Sequence, residues 1–253
     1  MESLNWSILG PAIFAGLLVL STHVPLGQEV LKRGIIFIDL AIAQIAGLGV
    51  LAAGVLGWEE HMWAVQLSAV SAALLASAGL SWSEKRWPRL QEPLIGILFV
   101  LAATGSILLL AGNPHGAQHM KDLLVGQILW STWTSLINMT LLYAVLLTIW
   151  VKWHERIGHK GFYIIFAFAV TASVQFVGVY LVFASLIIPA LATQRLHGKR
   201  RLATGYVLGA VAYIAGIVLS ALFDLPTGAV TVWTMAVLAI AVGHWLGRKH
   251  SSS

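Results

Sequence analysis

The sequence predicts an all-α fold, a polytopic transmembrane helical bundle of about eight or nine crossings within a single domain spanning residues 1–253. Three observations carry this. The chain is 58% hydrophobic and 10% charged, against roughly 25% charged for an ordinary soluble domain. Its apolar runs, such as Trp63 to Trp82, Pro93 to Leu110, Leu136 to Trp150 and Gly228 to Leu246, lack the polar stripe that a water-facing helix needs. The segments between the runs alternate between basic and non-basic.

The first run, Ile8 to Leu26, has no basic residue ahead of it and no clear small-x-small cleavage site, so it reads as a retained helix rather than a leader. Lys32 and Arg33 follow it, Glu59 and Glu60 follow the second run, and Lys85, Arg86 and Arg89 follow the third. Asn113 to Asp122 after the fourth holds a single Lys121, and Lys152, Arg156 and Lys160 follow the fifth. Basic loops belong in the cytoplasm, which places the N-terminus outside. The net charge of +5 is therefore read as positive loops at a membrane surface, with no nucleic-acid partner.

Gly161 to Thr193 breaks the alternation, because Arg195, Lys199, Arg200 and Arg201 follow it and basic residues also precede it. A single span cannot return to its own side. The stretch is expected to form a short helical hairpin, each arm ~16 residues or ~24 Å long, bending near Ser173 to Gly178. Two further spans, Leu202 to Leu222 and Thr227 to Leu246, bring the Arg248-Lys249-His250 tail back to the cytoplasm. Gly205, Gly209, Ala212 and Gly216 mark one small-residue face suited to close helix packing.

Among polar residues, Asp39 stands out. Placed early in the second span, Ile35 to Leu56, it either faces a cation path or sits shallow and pairs with Lys32 or Arg33. Gln44 and His23 could each add a neutral ligand or form a hydrogen bond between helices. Gln66, Asn138 and Gln175 are expected to form interhelical hydrogen bonds. His115 and His119 have a metal-compatible i, i+4 spacing, but Pro114 and Gly116 argue against a helix there, so they read as solvated loop histidines.

With no cysteine, the chain can have neither disulfide nor thiolate site. It carries no G-x-x-x-x-G-K-[ST] loop for ATP, and no G-x-S-x-G or H-E-x-x-H to suggest a hydrolase. Neither a catalytic residue nor a cofactor is expected.

Several motifs resemble the zinc- and manganese-importer permease family of ABC transporters. They are Pro25-Leu26-Gly27, Glu92 to Gly96, Asp122 to Leu129, the run Val177 to Ala190, and Leu219 to Gly228, in an order that holds over nearly the whole chain. Val177 to Ala190 is the most specific match. The resemblance implies a permease of a bacterial inner membrane in which two copies pair around a central path. It further implies a cytosolic ATPase that drives alternating access and an extracytoplasmic binding protein that delivers the metal. Asp39, Gln44 and His23 would then be the metal ligands. Thr193, Arg195, Lys199 and Arg200 would couple to the ATPase.

The sequence departs from that family at three places. An Asp followed four residues later by a His is usual in the second span, and here Ala43 stands four residues after Asp39. Gln44, at i+5, projects ~140° away from Asp39. Gln127 replaces the acid of a G-D-I-L motif, and the basic loop Val151 to Lys160 is shorter than the family's. A passive channel or partner-binding subunit on the same scaffold is the alternative these departures predict.

Overall fold

The computed structural model describes residues 6–58, 61–110, 116–153 and 156–251. Within them lie α1 (Trp6–Arg33), α2 (Ile38–Val55), α3 (Met62–Arg86), α4 (Gln91–Leu110), α5 (Gly116–Val125), α6 (Trp133–Trp153), α7 (His159–Ala192), α8 (Gly198–Phe223) and α9 (Thr227–Ser251), with no strand among the described residues. All but α5 are long and apolar enough to cross a membrane. Their outward faces carry large exposed apolar side chains such as Leu75, Leu108 and Ile240, which hydrocarbon would cover. Exposed tryptophans near helix ends, among them Trp58, Trp63, Trp87, Trp133 and Trp153, suit the two polar–apolar boundaries.

Several helices outrun their apolar cores because their ends are locally stabilised. In α1 the last turn continues to Arg33, where Glu29 Oε1 accepts a 2.9 Å bond from Arg33 Nε and lies on the same face as Lys32. Cations in the last turn also suit the helix dipole. Arg33 additionally lies 4.3 Å over the Phe162 ring and reaches His159, whose Nδ1 is 3.1 Å from Glu84. These contacts join α1, α3 and α7 at what is here termed the basic end.

One sequence expectation is corrected at α5. Its ten residues are helical from Gly116 onward, and Gln118 Nε2 donates to Asp122 Oδ1 one turn along, at 2.8 Å. Gly116 begins the helix and does not interrupt it. The readings made for His115 and for the Glu59–Glu60 pair lie outside the described residues, as do those for the side chains of His119 and the Arg248-Lys249-His250 tail.

The hairpin is present, and it turns at Gly178, where φ is 76° and ψ 164°. Contacts to neighbouring helices show the reversal. On the first arm, residues 159–177, Phe162 lies at Arg33 and Ser173 bonds His23, while Gln175 exchanges two hydrogen bonds with Gln66 of α3. Along α3, Glu84 to Gln66 spans ~27 Å, nearly the thickness of a hydrocarbon core. On the second arm, residues 179–192, Leu186 has come back to Gly27, where a Cβ would overlap the Leu186 carbonyl. Near its end, Ala190 accepts a bond from Arg201 at 3.5 Å. Both arms therefore finish at the basic end.

At the opposite end the bend is clasped. Gln127 N–H donates to the Phe176 carbonyl at 3.2 Å, and Gly126, also at positive φ (72°), lies directly on the Val177–Gly178 backbone. Gly228, at the start of α9, approaches the Val125 carbonyl as closely. The α8–α9 turn is tight, with Asp224 left-handed and Ser220 Oγ 2.6 Å from both Leu225 O and Thr227 Oγ1. The small-residue face of α8 is interior: Gly205 meets Val24, Gly209 meets Leu20 and Gly216 meets Thr231.

Candidate functional site

Asp39 occupies the first turn of α2, 1% exposed, and neither carboxylate oxygen has a hydrogen-bond partner among the described residues beyond the amides of Asp39 and Leu40 in its own turn. Its pairing with Lys32 or Arg33, the shallow alternative, is absent. Both cations turn instead to Glu29. A buried carboxylate left this way is costly unless a cation or proton accompanies it.

Gln44 lies five residues further along α2, 3% exposed, with Oε1 unpartnered. It lines a cavity of about 630 Å³ walled by Leu40, Phe99, Tyr180, Phe183 and Trp233. Ala43, where a ligand on the Asp39 face would stand, is itself buried and contributes no donor.

His23 is completely buried in α1, and both ring nitrogens are engaged, Nδ1 with Thr22 Oγ1 at 3.0 Å and Nε2 with Ser173 Oγ at 3.1 Å. Close by, Tyr143 of α6 donates to the Ala169 carbonyl at 2.7 Å. This network ties α1 and α6 to the first arm of α7. The described residues hold no group of three histidine or acidic side chains placed to bind a metal, and neither ring nitrogen of His23 is left free for an ion in this conformation.

Of the residues placed at the coupling surface, Arg195, in the connection after α7, and Lys199 and Arg200, in the first turn of α8, are exposed at the basic end. Thr193 differs: it is fully buried, and its Oγ1 donates to the Pro189 carbonyl at 2.7 Å, ending the second arm. Gln66 and Gln175 do form interhelical hydrogen bonds, with each other, whereas Asn138 is exposed on α6.

Two polar groupings bring together residues that the sequence offered no reason to associate with a site. Asp122, Gln127, Thr171 and Gln175 line a smaller cavity of about 310 Å³ beside the clasp, and the Thr171 hydroxyl there is unpartnered. Glu92, in the first turn of α4, accepts the Ile36 amide at 2.6 Å, three residues ahead of Asp39. An acid at the head of an apolar run was the available signal for Glu92. What hid it was that its hydrogen-bond partner Ile36 is 56 positions away, a proximity only folding creates.

Fold and site together define a multi-pass helical membrane protein with polar groups buried against a re-entrant hairpin. The model of the ABC 3 transport family matches residues 5–158 and 156–244, and the chain belongs to that family. It is accordingly an ABC transporter permease, a class of transport protein rather than of enzyme. In fold it is similar to a chain of PsaBC from Streptococcus pneumoniae in complex with Fab, at 21% identity and TM-score 0.76, covering 93% of this chain and 90% of that one. It is also similar, at 17% identity and TM-score 0.69, to a chain described as a metal-chelate type ABC transporter in an inward-facing conformation, covering 92% of this chain and 85% of that one.

Proposed function

We propose that this chain is the membrane-spanning subunit of an ABC importer for a divalent transition-metal ion, zinc or manganese, working by alternating access with a separate ATPase. The observation that carries this reading is the buried, unpartnered carboxylate of Asp39. A divalent ion in transit supplies the partner that Asp39 lacks. Gln44, on the wall of the larger cavity, is the neutral oxygen next along the route. One helix cannot turn both to a single point, so a homodimer in which a second copy completes the coordination is part of the proposal.

The exposed cations Arg195, Lys199 and Arg200 form the surface for the cytosolic ATPase, with Thr193 holding the end of the hairpin arm beneath them. The opposite end would receive the metal from an extracytoplasmic binding protein. An inner, plasma-membrane location in a bacterium follows from the same reading.

The test is radiometal uptake in cells lacking other importers, with membrane expression measured in parallel. Asp39→Asn keeps size and removes charge, and is expected to abolish uptake without loss of inserted protein. Gln44→Ala should weaken it less. Undiminished uptake by well-expressed Asp39→Asn would sink the ion-path reading. In the same membranes, a pull-down that recovers no nucleotide-binding subunit would favour the passive channel or partner-binding alternative.

A further inference from the structure

We propose that Glu92 is a second acidic ligand on the ion path, its carboxylate and that of Asp39 holding one divalent cation between the first turns of α2 and α4. This rests on the ion-path reading of Asp39 and adds a residue from another helix. The 2.6 Å bond from the Ile36 amide to Glu92 Oε1 brings the Glu92 carboxylate to the entry of α2, three residues ahead of Asp39. Its other oxygen, Oε2, is buried and has no hydrogen-bond partner among the described residues, and the same holds for both Asp39 oxygens. Three unpartnered carboxylate oxygens thus lie in the first turns of two helices that pack against each other.

The cations nearest in sequence do not serve them. Lys32 and Arg33 pair with Glu29, and Arg33 is further held by Phe162 and His159. Two carboxylates in a low-dielectric interior repel, and a cation between them turns that repulsion into attraction. Oxygen donors suit a hard divalent ion such as Mn2+.

A purely structural Glu92, a latch on the α1–α2 turn, would need only one oxygen. That difference sets the experiment. Glu92→Gln keeps an oxygen to accept the Ile36 amide and removes the charge. The full chain in lipid nanodiscs is titrated with Mn2+ by electron paramagnetic resonance of the free ion, and with Zn2+ in parallel, together with thermal unfolding. The expected result is unchanged unfolding and Mn2+ affinity lowered by about ten- to a hundred-fold. Glu92→Gln binding both ions like wild type overturns the proposal, as does wild type binding neither.

Asp39→Asn in the same titration separates the two readings. Binding lost with Asp39→Asn but kept with Glu92→Gln removes Glu92 and leaves the function reading standing, whereas binding kept in both removes both. Should Glu92→Gln fail to fold, Glu92→Asp decides: weakened Mn2+ binding by the folded variant supports the ligand role, and binding like wild type overturns it.

Discussion

Residues of the same apparent promise in the sequence separate according to whether their polar atoms are already satisfied. Asp39 keeps two unpartnered oxygens, while His23 spends both ring nitrogens on Thr22 and Ser173. In this conformation His23 is therefore a link between α1 and α7. Interhelical hydrogen bonds inside membranes contribute modestly, ~0.6–2 kcal/mol each, and truncating a buried side chain adds a cavity term. His23→Ala is expected to lower stability by ~1–3 kcal/mol while leaving uptake per folded molecule near wild type. Thermal unfolding and expression-corrected transport check this together, and loss of transport at unchanged stability would return His23 to the ion path. Both partners survive the change, since Ser173 Oγ also bonds the Ala169 carbonyl and Thr22 Oγ1 the Val19 carbonyl.

Among the elements, α7 carries the most consequence. Its two arms meet at a glycine whose φ of 76° and ψ of 164° fall in a region that side chains avoid, at a cost of order 1–3 kcal/mol. A Cβ at Gly178 would also run into the Val125–Gly126 backbone. Gly178→Ala should therefore destabilise the protein by more than the backbone term alone. Gly79→Ala, on an exposed face of α3 with nothing near its Cβ, should be neutral or gain up to ~1 kcal/mol. Unfolding midpoints in detergent compare the two, and equal stability of Gly178→Ala and wild type would mean that the bend is not constrained as described. The same clasp binds the exit of α5 and the start of α9 to the bend, so strain at Gly178 should spread to both.

For the whole molecule, the reversal of α7 determines sidedness. Because both arms end beside Arg33 and Arg201, the basic segments gather at one end of the bundle, as a single membrane surface requires. The cysteine-free chain allows a direct check by single introduced cysteines. Arg201→Cys and Lys160→Cys are expected to react with an impermeant thiol reagent only from the cytoplasmic side, and Trp58→Cys only from the outside. Labelling of Arg201→Cys from outside would require α7 to cross once, which the Leu186–Gly27 and Ser173–His23 contacts do not permit.

What the sequence by itself determined was whatever hydrocarbon imposes one segment at a time. Backbone groups in a bilayer must be bonded within their own helix, so apolar length gives the spans, and loop charge gives their direction. Even the hairpin was legible, because two basic loops around one apolar stretch leave no other parity. Its exact turning point at Gly178 was less so, since the left-handed conformation is enforced by Gly126 of a distant segment. The ten-residue helix α5 was missed because Pro114 and Gly116 in the sequence argue against a helix there, whereas Gly116 is its first residue. The site divides the same way. A buried acid at position 39 could be read from a hydropathy pattern, but its lack of a partner, the occupied ring of His23 and the approach of Glu92 all depend on which side chains meet. The bonds Ile36–Glu92 and His23–Ser173 join residues 56 and 150 positions apart, and only packing of the helices against one another brings them together.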